Sequence, residues 1–208
     1  MYHETIDEQT MRVFEKIKKI DILKSFYLAG GTALAIELGH RKSIDLDFFS
    51  KENFSPVELK KLLPEIGSVV VVGEEDGTLH CTIDGVKVSF LRYEYELLFP
   101  LVEFEGVKMA DERDIAAMKI DAISSRGSKK DFIDLYILLK KYELRELINF
   151  FEKKFNNIQY NMLHILKSLT FFEDAEGDPM PMMFALENWD VVKKVIVEKV
   201  LEFEKTLS

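Results

Sequence analysis

The sequence predicts an α+β fold in which a sheet with flanking helices precedes a helical C-terminal domain, and three observations predict it. A short apolar run, Ser25-Phe26-Tyr27-Leu28-Ala29, passes through Gly30-Gly31 into the helix-forming stretch Thr32 to Leu38. Between Ser68 and Phe104, apolar runs of strand length alternate with turn-forming acid-glycine pairs. From Asp111 onward, apolar residues recur at helical rather than strand spacing.

The elements follow in chain order. Met11, Phe14, Ile17 and Ile20 recur every three residues, which predicts an opening helix with Lys16, Lys18 and Lys19 turned mostly to solvent. Ser55-Pro56-Val57-Glu58 combines an N-cap, a proline at the first helical position and a capping-box acid, so a helix starts there and ends near Pro64. Strands are expected at Ser68 to Gly73, Thr78 to Ile83, Val86 to Leu91 and Leu101 to Phe104. Asp76-Gly77, Asp84-Gly85 and Glu105-Gly106 punctuate them, which makes this region largely antiparallel. The echo of Ile83-Asp84-Gly85-Val86-Lys87 in Phe104-Glu105-Gly106-Val107-Lys108 reads as shared turn chemistry. Helices are expected at Asp114 to Ser125, Lys129 to Lys140, Leu144 to Lys154, Ile158 to Phe172 and Val191 to Leu207, with a turn-rich loop from Glu176 to Pro181. The expected division is 1–108 for the α+β domain and 109–208 for the helical one.

Composition narrows the function classes. The 208 residues suffice for a sizeable core, and 47% hydrophobic with 31% charged residues is a globular balance. No run approaches the ~20 apolar residues that span a bilayer, and the N-terminus has neither a basic nor an apolar leader region. A cytoplasmic protein without membrane partners is expected. One cysteine, Cys81, excludes an internal disulfide, and four scattered histidines show no zinc-ligand spacing. A net charge of −9 argues against nonspecific coating of nucleic acid but leaves room for a local basic groove. Arg41-Lys42, Lys119, Arg126 and Lys129-Lys130 supply such local charge, while acids gather elsewhere, as at Glu74-Glu75-Asp76.

The chemistry concentrates in Gly30-Gly31-Thr32 followed, after Ala33 to Ile44, by Asp45-Leu46-Asp47. In an extended strand Asp45 and Asp47 project to one side while Leu46 and Phe48 face the other. Two carboxylates that close repel unless a hard divalent cation lies between them. The glycines let backbone N–H groups approach a phosphate, and the helix N-terminus behind them adds positive potential. A phosphate cradle and metal-holding carboxylates are thus adjacent in sequence, which predicts metal-assisted phosphoryl transfer.

Leu28-Ala29-Gly30-Gly31-Thr32-Ala33-Leu34, with Gly39-His40-Arg41, Ser43 and Asp45-Leu46-Asp47-Phe48-Phe49, resembles the polymerase-beta-type nucleotidyltransferase superfamily, and within it the AbiEii/AbiGii toxin family of type IV toxin–antitoxin and abortive-infection systems. A second block strengthens the resemblance: Ala116-Ala117-Met118-Lys119-Ile120-Asp121-Ala122-Ile123, then Arg126 and Lys129-Lys130-Asp131-Phe132-Ile133-Asp134-Leu135-Tyr136. The two blocks anchor residues 25 to 140. The resemblance implies a nucleotidyltransferase-fold mixed sheet, Mg²⁺ or Mn²⁺ as cofactor, an NTP as substrate, RNA and in particular tRNA as acceptor, and a cognate antitoxin as partner. It implies Asp45 and Asp47 as metal ligands, these two with Asp131 and Asp134 as catalytic residues, and Gly30, Gly31, Thr32, Arg41, Ser43, Lys119 and Arg126 as nucleotide-binding residues. Lys119 and Arg126, two helical turns apart, share a helix face, and the bland alternative for Lys119 is a lysine snorkelling beside an apolar surface.

One departure stands out. The superfamily commonly supplies a third carboxylate from a later strand, and the matching run here, Val86 to Leu91, offers Lys87 and Ser89 on its polar face. A site with two acids, a substitute acid from Asp131 or Asp134, and loss of activity are the competing explanations. Transfer to a small hydroxylated molecule and a non-catalytic nucleotide-binding module are the alternative functions.

Overall fold

The computed structural model describes residues 1–207, and the chain divides into two compact units, Met1–Asp111 and Glu112–Ser208. The first unit is built on a seven-stranded mixed sheet. Its strands are β1 (Tyr27–Ala29), β2 (Leu46–Ser50), β3 (Val69–Glu75), β4 (Thr78–Ile83), β5 (Val86–Arg92), β6 (Val102–Phe104) and β7 (Val107–Met109), in the order β3-β4-β5-β2-β1-β7-β6. The β3–β4–β5 portion is antiparallel, as the turn residues predict, but β2 pairs with β5 and β1 with β7 in parallel. Those parallel pairings come from crossovers that no local turn signal encodes.

Alternation assigns the two faces of the sheet. Leu46, Phe48, Val88, Phe90, Leu79, Cys81 and Ile83 are buried on one face, where Phe48 stacks on Phe90 at 5.6 Å and Phe26 meets Phe90 edge-on at 5.5 Å. Helices α1 (Glu8–Ile17), α2 (Gly30–Leu38) and α3 (Pro56–Leu62) complete this unit. Asp7 caps α1 by accepting from the Thr10 backbone at 2.7 Å, and Val13, Phe14 and Ile17 are its buried stripe. Ser55 caps α3 with Pro56 in the first turn.

The repeated turn chemistry is literal. Asp84-Gly85 and Glu105-Gly106 both hold two consecutive positive φ angles, 48° and 82° in one, 50° and 81° in the other. These are the paired left-handed residues of a tight two-residue hairpin. The second of these turns adds β7, a strand beyond the sequence-based limit at Phe104. At the opposite edge, β3 leaves Val70, Val71 and Val72 exposed, and its register with β4 shifts between Val71 and Gly73.

The second unit is helical: α4 (Glu112–Ser125), α5 (Lys129–Leu139), α6 (Leu144–Lys154), α7 (Met162–Leu169), α8 (Glu173–Glu176) and α9 (Trp189–Glu204). Glu143 and Glu146 form a capping box on α6, while Asn161 and Asn188 cap α7 and α9. Its interior holds a charge pair, Lys154 Nζ to Asp114 Oδ1 at 2.7 Å, with both side chains fully buried.

Cys81 is 2% exposed, and burial pushes its thiol pKa up to about 11. Because the thiolate is the reactive form, an aromatic disulfide reagent at neutral pH is expected to leave the native protein unmodified and to titrate one thiol in denaturant. Rapid modification of native protein would contradict the packing of β4.

Candidate functional site

The glycine turn lies directly against the second acid of the pair. Ala29, the last residue of β1, is the cross-strand partner of Asp47 on β2. The next residue, Gly30, has φ of 69°, and a Cβ there would come within 3.0 Å of Asp47 Oδ2. Glycine is required twice over, by its left-handed backbone and by the nearness of the carboxylate. Gly31 is confined differently, since a Cβ there would overlap the Arg41 guanidinium and approach Ser43 Oγ at 3.6 Å.

The connection from α2 to β2 closes around this turn. Gly39 ends α2 in a left-handed cap at φ 66°. Thr32, 1% exposed, donates its hydroxyl to the Asp45 carbonyl and lies 2.8 Å from Ser43 Oγ. Arg41, 3% exposed, donates to the Lys42 carbonyl at 3.1 Å, and its neighbour His40 is also buried. Gly30, Gly31, Thr32, Arg41, Ser43 and Asp47 therefore meet at the N-terminus of α2, where unsatisfied N–H groups concentrate positive potential. Asp45 and Asp47 are half-buried while Leu46 and Phe48 are fully buried.

The sheet register identifies what stands beside the pair. Asp47 is opposite Ser89 on β5, and Ser89 is opposite His80 on β4, with His80 Nδ1 3.1 Å from Ser89 Oγ. A serine and a histidine thus occupy this row beyond Asp47. Lys87 lies opposite Thr82 and is exposed. Among the described residues, no group of three or more His, Cys, Asp and Glu side chains is arranged to hold a metal. The His80 neighbour escapes sequence reasoning because it depends on the β4–β5 register. The alternation of Thr78, His80 and Thr82 with Leu79, Cys81 and Ile83 is the signal that could have placed it on this face.

In the helical unit, Lys119 is drawn into a buried charge cluster. Its Nζ lies 2.7 Å from Asp131 Oδ1 and 2.6 Å from Asp134 Oδ2, with both carboxylates fully buried. Ser128 donates to Asp131 Oδ2 at 2.5 Å, and Arg126 Nε lies 3.5 Å from the same oxygen. Burial alone would raise the Asp131 pKa. The charge and hydrogen bond of Lys119, the Ser128 hydroxyl and Arg126 outweigh it and hold the carboxyl below its ordinary value. The three-residue spacing of Asp131 and Asp134 puts both on one helical turn, where one ammonium serves them.

A carboxyl whose folded pKa is depressed contributes stability above its unfolded pKa, near 4, and loses it as pH falls through the folded value. Lys119→Met removes the main opposing charge, so the variant is expected to lose about 3–5 kcal/mol. Its acid unfolding should begin at higher pH than that of the wild type. Urea titrations at neutral pH and a pH melt followed by circular dichroism check both effects, and an unchanged acid midpoint would show that the cluster does not depress Asp131.

The comparisons with known proteins bear on family and fold. An uncharacterized protein of Aquifex aeolicus (strain VF5) is 36% identical over 204 residues, covering 95% of this chain and 97% of the relative. A crystal structure from H. pylori, described as that of a candidate nucleotidyltransferase, superposes with a TM-score of 0.56 at 16% identity over 97% of both chains. MenT4, a nucleotidyltransferase toxin of Mycobacterium tuberculosis H37Rv, superposes at 0.55 with 12% identity, over 94% of this chain and 86% of that one. The family model described as nucleotidyl transferase AbiEii toxin, type IV TA system, matches residues 14–205. A chain matched over both its sheet unit and its helical unit belongs to the AbiEii nucleotidyltransferase toxin family and is a nucleotidyltransferase.

Proposed function

We propose that this nucleotidyltransferase moves a nucleoside monophosphate from an NTP to RNA, with tRNA as the acceptor, and that a cognate antitoxin opposes it. The observation that carries the reading is the seat of Gly30 and Gly31 against Asp47 and Arg41. In one place it combines backbone donors, a guanidinium and a carboxylate, which are the groups that nucleotidyl transfer requires. Family membership supports the toxin role and the antitoxin partner.

The donor set fits a hard divalent cation, since Asp45 and Asp47 offer carboxylate oxygens and the bare Gly30 leaves space beside Asp47. Mg²⁺ or Mn²⁺ held there would neutralise charge on the phosphate oxygens and lower the pKa of the attacking hydroxyl. The N–H groups of Gly30, Gly31 and Thr32 at the start of α2 bind the triphosphate, and Arg41 and Ser43 orient it. Thr32 braces the approach to Asp45 through its bond to the Asp45 carbonyl. The acceptor hydroxyl attacks the α-phosphorus, and pyrophosphate departs as that bond forms. Ser89 stands opposite Asp47 in the sheet register, which supports the reading of a site with two acids. Asp131 and Asp134 hold the Lys119 ammonium in place within the helical unit.

Incubation with each α-labelled NTP, Mg²⁺ and total bacterial RNA tests the reading, with label on tRNA as the expected result. Asp45→Asn and Asp47→Asn are expected to lower transfer by at least a hundredfold, about 3 kcal/mol, with little change in thermal stability. Full activity in either variant would overturn the assignment. Gly31→Ala forces Arg41 aside, so it is expected to raise the KM for NTP severalfold more than it lowers kcat, as steady-state kinetics will read. Label on no RNA, with NTP still bound, would redirect the search to small hydroxylated acceptors.

A further inference from the structure

A cleft of about 360 Å³ within the helical unit lies between the C-terminal end of α4 and the α7–α8 segment. Arg126, His164, Lys167, Ser168, Phe171 and Asp174 line it. Its volume is at the small end of ligand pockets, about 300–1,000 Å³, and suits a piece of ligand rather than a large cofactor.

Three features of its lining point to one chemistry. Among the described residues, the Lys167 ammonium and the His164 ring have no hydrogen-bond or ion-pair partner, while Ser168 Oγ donates to the His164 carbonyl at 2.9 Å. Arg126 has one long contact, 3.5 Å to the buried Asp131, with two-thirds of its side chain exposed, so most of its donors remain for a ligand. Phe171 is 52% exposed, whereas its neighbour Phe172 is taken up by the interior, 4.8 Å from Phe132 and 5.8 Å from Trp189. An open aromatic face beside two cations matches a nucleobase joined to phosphate, which single-stranded nucleic acid presents and a phosphopeptide does not. Asp174 in the lining opposes phosphate but accepts a hydroxyl, which favours ribose over deoxyribose. In a chain of net charge −9 this cleft carries a local cationic excess.

We infer that the cleft binds one unstacked nucleotide of single-stranded RNA, its base on Phe171 and its phosphate between Arg126 and Lys167. The assignment rests on the RNA-acceptor reading and makes the cleft the acceptor's anchoring subsite in the helical unit.

Fluorescence anisotropy of the full chain with a labelled oligoadenylate, without NTP and over a range of salt, tests it. Phe171→Leu keeps the apolar bulk and removes the ring, so binding is expected to weaken roughly five- to hundredfold, with Phe171→Tyr restoring it. Lys167→Gln is expected to lower the slope of log affinity against log salt by about 0.7. The KM for NTP should be unchanged in all three variants. Wild-type affinity and slope in Phe171→Leu and Lys167→Gln would overturn the cleft, as would failure of the wild type to bind the oligonucleotide. Label transferred to RNA by variants with unchanged binding would leave the transfer reading standing and the cleft refuted. Ring-dependent RNA binding by a wild type that labels no RNA would do the reverse.

Discussion

The pairing of Ala29 with Asp47 is the contact on which the rest of the sheet unit depends. It joins two strands that are separated by a helix and a loop, and it sets the turn that follows β1 against the side chain emerging from β2. With that register made, a Cβ at residue 30 would crowd the Asp47 carboxylate, and the backbone there is left-handed, which favours glycine. The helix that starts there begins beside the carboxylate. A slip of one residue would turn Asp47 into the apolar layer and Phe48 out of it. Burial of Leu46 and Phe48 thus does more than stabilise the sheet, since it selects the register that aims the acids.

Much of this was legible in the sequence because the determinants are local. Gly-Gly between a strand and a helix, acids alternating with Leu46 and Phe48, and acid-glycine turns all act within a few residues. What escaped is non-local. The β5 neighbour could be matched by type, but only the parallel pairing with β2 sets Ser89 beside Asp47 and puts His80 next to it. Strand β7 escaped because its three residues are too few to show a period. In the second block the residues themselves were evident, whereas their partnership was not. Nothing in Ala116 to Ile123 says that the Lys119 ammonium will end between two carboxylates twelve and fifteen residues away.

The two units use charge in contrasting ways. In the sheet unit, Asp47 is half-buried and Arg41 is buried beside the bare backbone of Gly30 and Gly31. In the helical unit, Lys119 and Lys154 are buried and answered by acids at hydrogen-bond distance. A buried pair contributes little net stability relative to an apolar pair of the same volume, yet it penalises any packing that separates its partners. Two such arrangements on α4, reaching α5 and α6, therefore favour one alignment of these helices over the sliding alternatives that apolar contacts alone would tolerate.

The outer edge of the sheet carries a different obligation. Strand β3 presents three successive exposed valines and a row of backbone groups with only one neighbouring strand, which is the profile of a template for chain-to-chain stacking. The irregular register after Val71 and the acids Glu74 and Glu75 interrupt that template within two residues. These few residues at the rim, remote in sequence from the glycine turn, break the regular edge along which a second copy of the chain could add a strand.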